Sequence, residues 1–476
     1  SNRIANMLVG EGRERGDRIG VLLPQMLETA ASHIAIYKMG AIAVPLFVLF
    51  GPDALQHRIV HGGISTIITN VDGAAKLRSM NVSVHEKLNT HIVESEEFQA
   101  LIENNSDQFD ICNTKAEDPA IIIYTSGTTG TPKGALHAHR VLLGHLPGME
   151  MSHDFFPKPG DVIWTPADWA WIGGLLDVLL PALHHGIPVI ARRFEKFTAE
   201  AAYALLSRHH VTNAFLPPTA LKMMRSTTHD IDKFPLHLRT VGSGGETLGA
   251  ELLDWGREVL GVTINEFYGQ TECNLIISSC SALMPPRPGI TGRVVPGHEL
   301  AIIDAKGAIA PQGTIGQIAV KKGDPVMFLE YWNNPQATQE KFIGDWLLTG
   351  DTGIDEGNGW IRFVGRDDDV ITSSGYRIGP GEIEDCLLKH PAVKLAAVIG
   401  KPDKTRTEIV KAYIVLQENF DPSDALKSEI QSHVKSQLAA YEYPRDIEFL
   451  SDIPVTTTGK IMRRVLRDRT VQEGQS

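Results

Sequence analysis

The sequence predicts an α/β protein: a large N-terminal domain of doubly wound sheets plus a small β-barrel, followed by a small α+β C-terminal domain. Three observations predict it. Short apolar runs alternate with helical patterns through the first half of the chain, as in strand–helix–strand units. Between Pro288 and Val364 the pattern changes to short β-like segments punctuated by Gly and Pro, suggesting a small barrel or sandwich. A charged stretch, Gly365-Arg366-Asp367-Asp368-Asp369, then reads as a linker to a compact α/β unit.

In chain order, RIGVLLP (18–24) and AIAVPLF (41–47) read as buried strands. The helix between them, Met26 to Met39, carries Ala30, Ile34 and Tyr37 at helical spacing. TIITN (66–70) is a further strand. Ala120 to Tyr124 leads into a loop of glycines and hydroxyls, after which a helix is expected from near His137, with His137 and His139 at its solvated start. Asp161 to Gly174 holds three of the seven tryptophans. Pro188–Ala191 and Asn213–Leu216 are strand candidates around a helix from Ala199 to His209. Leu238–Glu246 runs into a second glycine-rich turn, and Thr263–Glu272 is a strand ending in a polar, aromatic loop. Three strand-to-loop transitions of this kind suggest one crevice at the carboxyl ends of a sheet. The β-like segments are Glu299–Ile303, Gly316–Val320, Trp346–Leu348 and Trp360–Val364. Beyond the linker, a helix from Ser423 presents Leu426, Ile430, Val434 and Leu438 at i, i+4 spacing, against strands at Lys394–Ile399 and Lys411–Leu416.

Composition limits the function. The net charge is −12 over 476 residues. From Val370 onward 15 basic residues balance 15 acidic ones, so the acidic excess lies in residues 1–369. This argues against a general nucleic-acid binder, which needs a basic face. Four cysteines without a CxxC pair fit a reduced intracellular protein with no structural zinc. The most apolar stretch, Leu175 to Ile190, is interrupted by Asp177, His184 and His185, so no bilayer span is expected. The first residues, SNRIANML, are no signal peptide and begin inside an amphipathic helix, as a partial chain would.

The loop YTSGTTGTPKG (124–134) combines three glycines, the hydroxyls of Thr125, Ser126, Thr128 and Thr129, and Lys133. Glycines such as Gly127 and Gly130 allow backbone N–H groups to approach a ligand closely. Successive N–H groups with a mobile ammonium make a phosphate cradle. An exposed flexible loop has the same composition. The Walker pattern fails, because Lys133 is followed by Gly134 rather than Ser or Thr.

With GGE (244–246), YGQTE (268–272), TGD (349–351), GRDDDVITSSGYRIGPGEIE (365–384) and PVTTTGKIMRR (454–464), the loop resembles the adenylate-forming (AMP-binding) superfamily, and within it the acyl-CoA synthetases. The resemblance covers essentially the whole chain, in the family's order and approximate spacing. Family members usually carry several dozen residues before the point where this chain begins. The resemblance implies ATP, Mg²⁺ and CoA as reactants and cofactor, with a small carboxylic acid as substrate and no nucleic acid. A carboxylate would attack the α-phosphate of ATP, and the CoA thiol would then attack the acyl-adenylate. Localisation would be cytoplasmic, or an organelle matrix in a eukaryote.

The resemblance also implies residue roles. Thr125 to Gly130 and Lys133 would hold the β- and γ-phosphates. Thr271 would bond the α-phosphate, and Glu272 would coordinate Mg²⁺. Tyr268 and Glu246 would wall the adenine site, and Gly245, Thr247, Glu266, Phe267, Gly269 and Gln270 would belong with them to the ATP/AMP-binding set. Asp351 and Arg366 would take the ribose hydroxyls, and Lys460 would stabilise charge at the reacting α-phosphate. For the second step the C-terminal domain would rotate about Asp368, bringing Ser374 and Gly375 to the pantetheine path, with Arg377 meeting phosphate in one of the two states. Trp171, Ile172, Gly173, Gly244 and Gly269 would form the acyl pocket. Acetate-specific relatives have bulk where this chain has Gly244 and Gly269, so the reading is a deeper apolar pocket for a medium-chain or branched acid. An aryl acid, or transfer to a carrier protein, is the alternative, and a non-catalytic nucleotide-binding protein is the reading from another class. Cys273 reads as a buried thiol rather than a nucleophile. Arg463, Arg464, Arg467 and Arg469 form a basic tail, suited either to CoA phosphates or to a solvated helix end.

Overall fold

Six strands in the first third of the chain build one sheet: β1 (Arg18–Leu22), β2 (Ile42–Pro45), β3 (Thr66–Thr69), β4 (Asn89–Ile92), β5 (Pro119–Thr125) and β6 (Lys133–Ala138). Their order is β6-β5-β2-β1-β3-β4, with the short strand Glu330–Tyr331 outside β6. Neighbours from β5 to β4 are parallel, whereas β6 is antiparallel to β5. Alternate side chains serve opposite faces. Ile19, Val21, Ala43, Ile121 and Ile123 pack with the helices Asn2–Gly10 and Leu27–Lys38. Ile42, Val44, Ile67 and Ile122 pack with Leu55 and Ile59 of Pro52–Gly62 and Leu77 of Val71–Arg78. Helices on both faces make this the doubly wound sheet that the apolar runs predict.

The computed structural model describes all residues except 81–83, 85–87, 126–131, 246–247, 288, 367–368, 374–375, 404–405, 439–441, 456–460 and 474–476. The chain divides into two units. The first comprises Ser1–Arg287, Gly292–Glu299 and Val320–Leu347. The second holds Leu300–Ala319 and Leu348–Ser476 with a short piece near residue 290.

A second sheet of the first unit runs β7 (Ile163–Trp164), β8 (Asn213–Phe215), β9 (Thr240–Gly244), β10 (Ile264–Gln270) and β11 (Cys273–Ser278). The first four are parallel and β11 is antiparallel to β10. The helices Ala199–Arg208, Pro218–Arg225 and Ala250–Trp255 share its core around Trp164, Tyr203 and Val241.

Three local expectations are corrected here. The chain after the glycine loop is strand β6, and the helix starts only at Val141. His137 is therefore fully buried in a sheet rather than solvated at a helix start. YGQTE is not a loop: Tyr268-Gly269-Gln270 complete β10, and the turn at Thr271-Glu272 returns directly into β11. Pro188–Ala191 contributes one parallel bridge, Ile163 to Val189, and no strand, since Pro188 has no N–H to extend a ladder.

The strands Leu300–Ile303, Ile315–Lys321, Trp346–Asp355 and Trp360–Arg366, which belong mostly to the second unit, lie in that order in a sheet. The C-terminal part has its own sheet, built on the antiparallel pair Val393–Asp403 and Thr407–Leu416. Pro380–Leu388 and Asp424–Gln437 cover one face through Ile383, Leu387, Leu426, Ile430 and Val434. Ser423 caps the latter helix, its Oγ accepting the Leu426 N–H at 3.2 Å, and Leu438 sits just past its end. The helix Arg463–Glu473 covers the other face with Leu466.

That last helix is not a free basic tail. Arg463 makes a forked pair with Glu384 at 2.6 and 2.8 Å. Arg467 meets Asp369 at 2.5 Å and Arg469 meets Glu448 at 2.5 Å, and Arg464 lies 4.0 Å from Asp468. Among the described residues no helix is long and apolar enough to cross a membrane.

Candidate active site

The glycine loop closes a hairpin. Thr125 at the end of β5 pairs with Lys133 at the start of β6, and the Thr125 hydroxyl donates to the Lys133 carbonyl at 3.5 Å. Ser126, Gly127, Thr128, Thr129 and Gly130 lie outside the described residues. Lys133 Nζ sits 5.1 Å from the centre of the Tyr331 ring.

The second hairpin, β10–β11, carries Thr271 and Glu272 in its turn. Glu272 is 8 % exposed. Its Oε1 accepts the Tyr331 hydroxyl, and its carbonyl accepts the Phe328 N–H at 2.8 Å. The segment containing Tyr331 ties the two hairpins together. Leu329 N–H donates to the Leu136 carbonyl and Trp332 N–H to the Gly134 carbonyl, each at 2.7 Å, and Tyr331 pairs with Ala135. Lys133 and Glu272, 139 residues apart in the sequence, are thus set on opposite parts of one tyrosine. Sequence reasoning missed Tyr331; FLEYW offered only an ordinary aromatic run.

Around them, Gln270 Oε1 accepts the Lys341 ammonium at 3.2 Å. Glu266 is buried, its N–H donating to Ser279 Oγ at 2.8 Å, and Phe267 and Tyr268 are buried beside it. Gly245 has φ +99°, a conformation that favours glycine. Glu246 and Thr247 lie outside the described residues.

The glycines expected to open an acyl pocket do not face open space. A Cβ on Gly269 would lie 2.2 Å from the Leu275 nitrogen and 2.7 Å from Asn274 backbone carbons. On Gly244 it would lie 2.5 Å from the Phe267 ring, and on Gly173 3.0 Å from the Phe215 ring. These glycines permit close packing, and the reading of Gly244 and Gly269 as missing bulk is corrected. Gly173 and Gly244 instead back onto the Phe215–Phe267 ring pair, whose centroids are 5.2 Å apart. Trp171 and Ile172 remain partly exposed beside Gly173, with the Trp171 ring 6.1 Å from that of Phe47.

One turn beyond Gly173, in the π-helical turn Leu175–Leu179, Asp177 is 3 % exposed. Its Oδ1 accepts Asn274 Nδ2 at 2.7 Å, and the same amide lies 3.2 Å from His145 Nε2. His145 Nδ1 donates to the Val141 carbonyl at 2.6 Å. Burial raises the Asp177 pKa to about 8 and lowers that of His145 to about 4, so both are neutral near pH 7. His137 is held at about 3, by burial first and then by His145. Burial likewise raises Cys273 well above its ordinary range, which suits a packed thiol and not a nucleophile.

In the second unit, Asp351 and Arg366 are register partners on adjacent antiparallel strands. Asp351 is buried, its N–H donating to Thr349 Oγ1 at 3.1 Å. Arg377 lies on the strand Tyr376–Ile378, opposite Thr372. Asp368, Ser374, Gly375 and Lys460 lie outside the described residues.

The profile of AMP-binding enzymes matches residues 1–332, and that of the AMP-binding enzyme C-terminal domain matches residues 382–460. The chain belongs to the AMP-binding enzyme family. It is 36 % identical to an acetyl-coenzyme A synthetase of Bacillus subtilis over 98 % of this chain and 83 % of that protein. A rat mitochondrial acyl-coenzyme A synthetase, ACSM2, is 35 % identical over the same shares. The crystal structure of the anthranilate CoA ligase AuaEII with anthranoyl-AMP superposes with a TM-score of 0.88 at 30 % identity, covering 98 % of this chain and 90 % of that one.

The donor set fits the ion such a family member uses. Magnesium keeps several waters and takes one or two carboxylates plus substrate phosphates, so it needs no cluster of protein ligands, and among the described residues there is none. Glu272 commits one oxygen to Tyr331, and the other makes no hydrogen bond to a described residue.

Proposed function

We propose that this chain is an ATP-dependent, AMP-forming acyl-CoA synthetase: an acid–thiol ligase that converts a carboxylic acid, ATP and CoA into acyl-CoA, AMP and pyrophosphate. The supporting observation is the placement of a buried carboxylate, Glu272, and the loop ammonium, Lys133, on two hairpins clamped by one segment. A carboxylate substrate meeting a polyanionic nucleotide needs cationic charge at the phosphates. Lys133 and the loop N–H groups supply it on the side of the leaving pyrophosphate. Magnesium, held through Glu272, would spread the charge that develops on the phosphate oxygens.

In the first half-reaction a carboxylate oxygen bonds to the α-phosphorus and the bond to the bridging oxygen breaks, releasing pyrophosphate. Thr271 is assigned to the α-phosphate, Tyr268 with the 245–247 turn to adenine, and Asp351 with Arg366 to the ribose. Lys460 is assigned to the charge developing at the reacting centre. In the second half-reaction the thiol sulfur bonds to the acyl carbon, AMP leaves, and the thiol proton passes to solvent. Rotation about Asp368 would withdraw Lys460 and bring Ser374 and Gly375 to the thiol's path. Lys460→Ala should abolish pyrophosphate exchange while sparing thioester formation from supplied acyl-AMP. Gly375→Leu should do the reverse; if both variants fail in the same half-reaction, domain alternation is the wrong assignment.

The acid is proposed to be a medium-chain or branched one, supported by the likeness to the acyl-coenzyme A synthetase ACSM2 and not by Gly244 and Gly269. An aryl acid is the second reading, favoured by the Phe215–Phe267 ring pair behind Gly173 and Gly244 and by the likeness to an anthranilate CoA ligase. Four free cysteines support a reducing compartment, cytoplasm or organelle matrix.

A further inference from the structure

We propose that Tyr331 is a positioning residue for adenylation, keeping Glu272 and Lys133 close to one another without letting them pair. This inference rests on the reading of Glu272 as the metal carboxylate. A buried carboxylate requires hydrogen-bonded or ionic partners. Among the described residues no cation pairs with Glu272, and its bonded partner there is the Tyr331 hydroxyl. A neutral donor orients a carboxylate yet leaves its full negative charge for a metal, which an arginine or lysine would not. With Oε1 held by Tyr331, Oε2 is the oxygen presented to the ion. Such outer partners fix ligand orientation and raise affinity.

The same ring acts on Lys133. Its ammonium lies 5.1 Å from the ring centre, where the negative face of the aromatic quadrupole attracts a cation without neutralising it. A direct Lys133–Glu272 ion pair would cancel the cation meant for phosphate and the anion meant for the metal together. Tyr331 engages both, Glu272 through its hydroxyl and Lys133 through its ring. It is 4 % exposed and anchored by its backbone: it pairs with Ala135, and its N–H donates to Thr338 Oγ1 at 2.9 Å. Its ring meets Phe328 edge-on at 4.9 Å between centroids. The hydroxyl and the ring face are therefore aimed by the backbone pairing to Ala135, the Thr338 hydroxyl and the Phe328 ring.

The test measures metal binding directly. Mn²⁺ is titrated by electron paramagnetic resonance into enzyme saturated with α,β-methylene-ATP, alongside thermal unfolding. Tyr331→Phe keeps the ring and removes the donor; it should unfold near the wild-type temperature while its Mn²⁺ dissociation constant rises about 10-fold or more. Adenylation by this variant should recover at high Mg²⁺. Tyr331→Leu removes the ring as well and should also raise the KM for ATP. Tyr331→His, which keeps a ring and a donor, should restore part of the metal affinity, and it carries the test if Tyr331→Phe does not fold. Wild-type Mn²⁺ affinity in a folded Tyr331→Phe would overturn the proposal, as would a folded Tyr331→His with no more metal affinity than Tyr331→Leu. Glu272→Gln separates the two levels: if it binds Mn²⁺ like wild type, the metal assignment falls and this inference with it.

Discussion

Gly269→Ala tests the packing of the β10–β11 hairpin with one methyl group. The added Cβ would lie 2.2 Å from the Leu275 nitrogen and 2.7 Å from the Asn274 carbonyl carbon and Cα. The first contact falls about 1.3 Å short of ordinary separation near 3.5 Å. The obstructing atoms are backbone, so no rotamer change relieves them and the two strands must part. Overpacking of this kind costs about 1–3 kcal/mol, and a rigid backbone neighbour puts this case at the upper end. At about 2–4 °C per kcal/mol for a sizeable domain, the melting temperature should fall by several degrees. Thr271 and Glu272 are in the turn of the same hairpin, so the strain reaches the residues proposed for phosphate and metal. A displacement near 1 Å at a reacting centre costs about 10²-fold in rate. The assay is acid-dependent pyrophosphate exchange over C2 to C12 and aromatic acids, with calorimetry on the same samples. The structure predicts a similar loss for every acid. A stable variant of undiminished activity whose preference moves to short acids would refute the packing account and restore Gly269 as a pocket opener.

Further outcomes follow from buried groups. His33, His137, His145 and His153 are lowered to between about 3 and about 4, each chiefly by burial. Their folded pKa values lie below the unfolded value near 6.5, so the stability they contribute is full above about pH 6.5 and lost as pH falls toward 4; a melting temperature flat across that window would contradict it. Asp177 has the opposite sign: raised to about 8, it favours the folded state at low pH and loses that contribution as pH rises through 8. Above pH 6.5 the histidines no longer titrate, so Asp177→Asn should flatten a shallow decline in stability between pH 6.5 and 8.5, measured by urea midpoints. Asp369→Asn weakens the pairs to Arg467 at 2.5 Å and Arg463 at 3.6 Å. The loss should be about 1–3 kcal/mol, seen as earlier proteolysis of the C-terminal part with the N-terminal part intact.

The doubly wound sheet was legible because its signals are local. Ile19 and Val21 face one helical layer while Leu22 faces the other, and that period of two survives in the sequence alone. The Ser423 cap and the Leu426–Ile430–Val434 stripe were legible for the same reason. Features set by distant partners were not. β6 looked like a helix start because Lys133-Gly-Ala-Leu-His-Ala has no strict alternation, and its antiparallel partner supplies the pattern. A glycine in a sequence reports a missing side chain, not what fills the space, and at Gly244 and Gly269 that is a ring and a neighbouring strand. The arginines of the last helix looked free because Glu384, Asp369 and Glu448 lie 21 to 98 residues away in the chain. Glu272 was singled out by its motif, whereas its hydrogen-bond partner Tyr331 was not.

The central claim is an acyl-adenylate formed before CoA acts. Exchange of labelled pyrophosphate into ATP, measured with Mg²⁺ and an acid panel in the absence of CoA, tests it most directly. The account predicts exchange that requires the acid, proceeds without CoA, and is lost in Glu272→Gln and Lys460→Ala. With CoA added, AMP and thioester should then form in equal amounts. Exchange that depends on CoA, or ADP and phosphate as products, would contradict it.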